Sequence, residues 1–173
     1  MEKPEMRAVD VLKIVQLLNQ NGIEVIIDGG WGVDALLGEQ TRPHEDLDVA
    51  VEHKDVPRIR ELFAELGYEE LIRDDSRECN FVLGDKNGRL IDFHSCTFDS
   101  SGKNIFGVEY PYESLQGKGS INGVMVRCIP PAWMVKFHTG YELDENDFND
   151  VNFLCKKFKI DLPSEYDEFI LGD

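Results

Sequence analysis

The chain has 173 residues, with 34 Asp and Glu against 18 Lys and Arg, a formal net charge of -16 and a pI near 4.5. That length suits one domain, large enough to bury a core without help from disulfides or a structural metal. The charge excludes a protein that wraps nucleic acid by phosphate neutralisation or docks on an anionic membrane. No stretch approaches the roughly 20 apolar residues of a membrane span. Met1 to Arg7 lacks the basic-then-apolar layout of a secretory leader. Cys79, Cys96, Cys128 and Cys155 are widely separated, with no metal-ligand spacing. They read as reduced thiols of a cytoplasmic protein.

Val11, Leu12, Val15 and Leu18 recur at helical spacing, which predicts an amphipathic helix over 5–20 that stops at Asn21-Gly22. The β-branched run Ile23 to Ile27 predicts a buried strand. Gly29-Gly30 then leads into a short helix from Trp31 to Leu37, and Leu47 to Val51 is the next strand. Val56, Ile59, Leu62, Phe63 and Leu66 mark a helix ending at Gly67. Two strands near 78–84 and 89–95 flank Asn87-Gly88, and two more near 117–121 and 124–129 flank Asn122-Gly123. Both dipeptides are hairpin signals. Helical patterns follow over Ala132 to His138 and Asp147 to Phe158. The expected fold is therefore α/β: a small mixed sheet flanked by helices. It forms a single domain over 1–173, with an α/β part to about 129 and a helical part from about 130.

The chemistry concentrates in Asp28-Gly-Gly-Trp and in Thr41-Arg-Pro-His-Glu-Asp-Leu-Asp-Val49. Residues two apart on a strand share a face, so Asp46 and Asp48 point one way and Leu47 and Val49 the other. Two neighbouring carboxylates repel unless a cation lies between them, and Mg²⁺ takes such oxygens. The plain alternative is a solvated strand face in an acid-rich chain. Asp92, in the strand after Asn87-Gly88, joins the pair if its strand lies beside theirs, and carboxylates on adjacent strands serve two-metal phosphoryl chemistry. Gly29-Gly30 follows an apolar strand and opens a helix, a junction whose N–H groups can face an anion; most such pairs are simple turns. Neither a Walker loop nor a dinucleotide fingerprint is present. Arg42 and His44 lie just before the Asp pair, and Arg42 and Lys136 are bases able to offset phosphate charge, or else ordinary surface groups. His94 shares a face with Asp92 and either orients it or is an ordinary half-buried histidine. Trp31 and Trp133 read as core, and the acidic run Glu142 to Asp150 as a solvated helix start.

Gly-Gly after a strand, Asp-x-Asp on the next strand and a later single Asp together resemble the polymerase-β-like nucleotidyltransferase superfamily. The segments Asp28–Asp34, Arg42–Asp48, Ser76-Arg77, Ile91–His94 and Phe137–Tyr141 are similar to the lincosamide nucleotidyltransferases and the related aminoglycoside 2''-adenylyltransferases. His94-Ser95 departs from the His-Pro of that pattern. The resemblance implies Mg-dependent transfer of AMP from ATP to a hydroxyl of a small cationic molecule, most readily a lincosamide antibiotic, with an aminoglycoside as the alternative acceptor. Asp46, Asp48 and Asp92 would be catalytic and hold Mg²⁺, with Asp92 either ligand or base. Gly29, Gly30, Arg42, His44 and Lys136 would bind the nucleotide. The resemblance also allows a homodimer. A nucleotide-binding module of the same fold with little catalysis is disfavoured because all three carboxylates are present. Transfer to a protein or nucleic acid keeps the chemistry, but the acidity disfavours a nucleic-acid acceptor.

Overall fold

The computed structural model describes residues 4–172. Residues 1–3, part of the segment read against a secretory leader, and residue 173, the end of the expected domain, lie outside the described residues. The chain runs α1 (Ala8–Gln20), β1 (Val25–Ile27), α2 (Gly29–Leu37), β2 (Asp46–Glu52), α3 (Val56–Glu65), β3 (Glu69–Leu71), β4 (Asn80–Gly84) and β5 (Leu90–Phe98). It continues with β6 (Asn104–Gly107), β7 (Gly117–Ile121), β8 (Val124–Cys128), α4 (Pro131–Phe137), α5 (Glu145–Phe158) and α6 (Asp167–Leu171). No helix among the described residues is long and apolar enough to cross a membrane.

The strands form one mixed sheet in the order β3-β4-β5-β2-β1-β8-β7, with β6 paired to β5 beside that path. β2 and β5 are parallel, as are β1 and β8, while β1 and β2 are antiparallel. The two hairpins fall on the two Asn-Gly dipeptides. At Asn122-Gly123 both residues have positive φ, 48° and 75°, and Ile121 pairs directly with Val124. That is the two-residue turn whose twist matches its strands. At the other hairpin only Gly88 has positive φ, and Asp85 closes a longer loop by accepting from the N–H groups of Asn87 and Arg89.

Alternation decides which face of the sheet is dry. Leu47, Val49 and Val51 of β2 lie beside Ile91, Phe93 and Ser95 of β5, all buried, and Phe63 of α3 packs edge-on against Phe93. The residues between them, Asp46, Asp48, Asp92 and His94, face the other way. There α2 begins, and α4 and α5 pack against α2.

Helix α1 starts later than its apolar pattern suggests. Residues 5–7 stay extended because Met6 is fully buried, donates its N–H to the His44 carbonyl and accepts from the Trp31 indole. Strands β3 and β6 have no apolar alternation to announce them; each is short and attaches by backbone pairing to a longer neighbour. The tail beyond residue 160 is packed down. Tyr166 is 0% exposed, its hydroxyl donates to the His138 carbonyl, and its ring lies against Phe148 and Phe169. Tyr166→Ala should therefore lower unfolding stability by about 3–5 kcal/mol, the usual cost of deleting a buried aromatic ring. Urea unfolding followed by circular dichroism reads this, and a loss below about 1 kcal/mol would mean that the tail is dispensable.

Candidate active site

The parallel pairing of β2 with β5 sets Asp48 directly opposite Asp92, one strand spacing apart. Oxygens of Asp48 and Asp92 and a ring nitrogen of His94 all lie within 4.8 Å of one another, the one such group of potential metal ligands among the described residues. Asp46 sits on the same face at the mouth of β2, outside that tightest group but close enough for its charge to act on Asp48. A cation fits this set chemically. The donors are hard oxygens with one imidazole, and Asp92 Oδ1 is buried without a hydrogen-bond partner.

The glycine turn is built around Asp48. Gly29 has φ +59°, which glycine adopts without strain. A Cβ there would lie 2.2 Å from Asp48 Oδ2, so only a hydrogen leaves room for the carboxylate. At Gly30 a Cβ would lie 2.5 Å from His44 Nδ1 and 2.9 Å from Arg42 Nη2. These two bases therefore press against the turn from behind. His44 is 3% exposed, its Nε2 lies 2.5 Å from Asp34 Oδ2, and its ring packs on Trp31. Asp34 also accepts from the backbone and hydroxyl of Thr41. Arg42 makes a two-pronged pair with Asp150 of α5, at 3.2 and 2.8 Å. Asp150 was expected in a solvated helix start; it is 2% exposed because this guanidinium neutralises it. Asp144 and Asp147 cap α5 instead, each accepting from the other's backbone N–H. Lys136 is exposed at the end of α4, with its ammonium 5.0 Å above the Trp133 ring.

Three neighbours complete the site; Asp28 lies in the informative glycine stretch without an assigned role, while Tyr110 and Arg73 carry no sequence signal. Asp28 caps α2 by accepting from Gly29 N–H, and its backbone N–H donates to the Asp48 carbonyl. Tyr110, from a loop far along the chain, donates its hydroxyl to Asp28 Oδ2 at 2.9 Å. Burial and the Asp28 charge hold the Tyr110 phenol well above its ordinary pKa, so it stays a donor. Arg73, in the loop before β4, brings its guanidinium 3.9 Å from Asp92 Oδ2.

Residues 10–154 match the sequence profile of the aminoglycoside-2''-adenylyltransferase family. The chain belongs to that family. Among curated relatives, a lincosamide resistance protein of Staphylococcus haemolyticus is 25% identical over 150 residues, covering 84% of this chain and 92% of the relative. Among solved structures, the lincomycin-bound lincosamide antibiotic adenylyltransferase LnuA superposes with a TM-score of 0.77 at 21% identity, covering 91% of this chain and 99% of that one. ANT(2'')-Ia in complex with adenylyl-2''-tobramycin gives 0.72 at 19% identity, covering 87% and 88%. These two likenesses show a shared fold. Family membership makes this adenylyltransferase-family chain an antibiotic nucleotidyltransferase by class.

The electrostatics of the site carry a cost. Desolvation, then the charges of Asp46, Asp28 and Asp92, hold the Asp48 carboxyl well above the ordinary carboxylate range, with Arg73 opposing. Asp92 is raised too, chiefly by desolvation, with His94 and Arg73 opposing. A carboxyl whose folded pKa is raised favours folding while protonated and loses that contribution as pH rises through the folded value. At neutral pH the metal-free protein therefore bears a penalty at Asp48. Asp48→Asn should raise the melting temperature by a few degrees at neutral pH in EDTA, with the difference shrinking toward about pH 4, where carboxyls protonate in either state. Thermal melts of both proteins at the two pH values check this, and a lower melting temperature for the variant at neutral pH would refute it.

Proposed function

We propose that this protein transfers AMP from Mg-ATP to a hydroxyl of a lincosamide antibiotic. The observation that carries the reading is the Asp48–Asp92 register with the Gly29-Gly30 turn closed against Asp48. In this reading Asp46, Asp48 and Asp92 hold Mg²⁺, which neutralises phosphate charge when bound. The start of α2 at the Gly29-Gly30 turn, where glycine lets a phosphate approach closely, receives the triphosphate. Arg42 and His44 back that turn and fix its shape, and Lys136 reaches the nucleotide from the end of α4.

The acceptor hydroxyl attacks the α-phosphorus in line. Its oxygen forms the new P–O bond as the bond to pyrophosphate breaks, and its proton passes to the Asp92 carboxylate. A carboxylate has two oxygens, so holding the cation and accepting a proton are compatible roles. Little covalent work falls to the protein, and the residues act by positioning and by charge. Asp28 and Tyr110 hold the turn and the start of β2 in register, and Arg73 orients Asp92 from the solvent side.

The likeness to lincosamide-directed relatives supports a lincosamide acceptor; the family profile favours an aminoglycoside as the second reading. Both acceptor classes carry amines, and a chain of net charge -16 suits capture of a cation. The protein acts in the cytoplasm, where ATP is supplied and its thiols stay reduced. It works as one nucleotidyltransferase domain, with an α/β part to about residue 129 and a helical part from about 130.

Pyrophosphate release should require ATP, Mg²⁺ and an acceptor together, and lincomycin should outperform tobramycin. Asp48→Ala and Asp92→Asn should each lower kcat by about a hundredfold or more, the scale of losing one charge-stabilising group. ATP binding without release on any lincosamide or aminoglycoside would replace this reading with a nucleotide-binding module. Near-normal turnover in Asp48→Ala would remove the metal role. Acceptor KM should rise with ionic strength, and a flat KM would remove the electrostatic capture.

A further inference from the structure

We propose that His94 supplies an imidazole ligand to the cation held by Asp48 and Asp92, so that the centre is a mixed oxygen–nitrogen site rather than a purely carboxylate one. The inference rests on the adenylyltransferase reading, which calls for a cation between these acids.

His94 lies two residues after Asp92 on β5 and shares its face. Its cross-strand neighbours are Ala50 of β2 and Asn80 of β4. Ala50 offers no hydrogen bond, and the Asn80 amide is turned toward Asp75. The imidazole thus has only the Asp92 carboxylate within ion-pair reach. Nδ1 is buried and unbonded, and Nε2 stops 3.5 Å from Asp92 Oδ1, which is itself buried and unbonded. An ordinary histidine–carboxylate ion pair would close to hydrogen-bond distance, as His44 and Asp34 do at 2.5 Å in the same protein. A gap of 3.5 Å is instead about that between adjacent ligand atoms around one small cation, each about 2.1 Å from it. Asp48 completes the group within 4.8 Å. Buried polar atoms without partners are rare in folded proteins. Asp92 Oδ1 is such an atom, and a cation bound there would be satisfied jointly by that oxygen and by His94 Nε2, 3.5 Å away.

An imidazole nitrogen changes which cations the site prefers. Carboxylate and water suit Mg²⁺ and Mn²⁺, whereas imidazole favours cations later in the first transition row. The preference for Co²⁺ over Mg²⁺ should therefore be larger in the wild type than in a variant lacking the ring.

The test uses the full chain with Mn²⁺ alone, read by pulsed EPR for nitrogen modulation of the bound ion. The wild type should show modulation that disappears in both His94→Ala and His94→Gln and persists in His53→Ala. In competition titrations the preference for Co²⁺ over Mg²⁺ should fall about tenfold or more in His94→Ala. Thermal melts close to wild type in either His94 variant establish that the ring, not the fold, was lost. Suppose that Mn²⁺ binds, Asp48→Ala weakens it, and no nitrogen modulation appears, or it survives His94→Ala. Ligation by His94 is then overturned while the carboxylate site and the adenylyltransferase reading stand. No Mn²⁺ binding at all, either alone or with ATP present, would overturn both.

Discussion

Parallel pairing between β2 and β5, in the register that sets Asp48 beside Asp92, governs the rest of the molecule. A strand's side chains alternate, so one register choice sends Leu47, Val49, Ile91 and Phe93 into the core and both acids to the opposite face. A slip of one residue would bury carboxylates under α3 and expose four large apolar groups. The burial that stabilises the sheet thus also forces like charges together, and the fold tolerates their repulsion because the apolar face allows no other register.

The layer behind the acids consists of buried and half-buried charges answered one by one. Asp34 takes His44 and Thr41, Asp150 takes Arg42, and Asp28 takes Tyr110 and the Gly29 N–H. Asp150 and Tyr110 come from distant parts of the chain, and these pairs converge on the turn at Gly29-Gly30. On the β2–β5 face the balance is different: Asp48 and Asp92 are held above their ordinary pKa, opposed only by Arg73 and, at Asp92, His94. The contrast marks where the protein leaves charge unanswered.

Most of the elements were legible in sequence because they follow simple periodicities or turn chemistry. Asn122-Gly123 gave a two-residue hairpin, and the alternation Asp46-Leu-Asp48-Val49 gave the right face for every residue. Strands β3 and β6 were not legible, since backbone pairing to a neighbour forms them and leaves no pattern of its own. The helix expected from residue 5 begins at Ala8 because tertiary bonds to Met6 override local preference. In the site, a residue two positions from another could be placed, as Asp48 from Asp46 or His94 from Asp92. Tyr110, Arg73 and Asp150 could not, because long-range contacts bring them in and no spacing rule encodes those. The acidic run at 142–150 shows this most plainly: composition called all of it solvated, and one member is buried against an arginine.

That arginine pair has a consequence for the order of assembly. Arg42 and Asp150 are 108 residues apart in sequence, yet their contact backs the turn next to Asp48. Chains emerge from the ribosome N-terminal end first, so the sheet's acid pair is synthesised and paired well before α5 exists. Until then Arg42 lacks its counter-ion and the turn lacks its rear support. Completion of the site therefore waits for α5, and a ribosome-bound fragment ending at β8 would hold the acids without a finished turn.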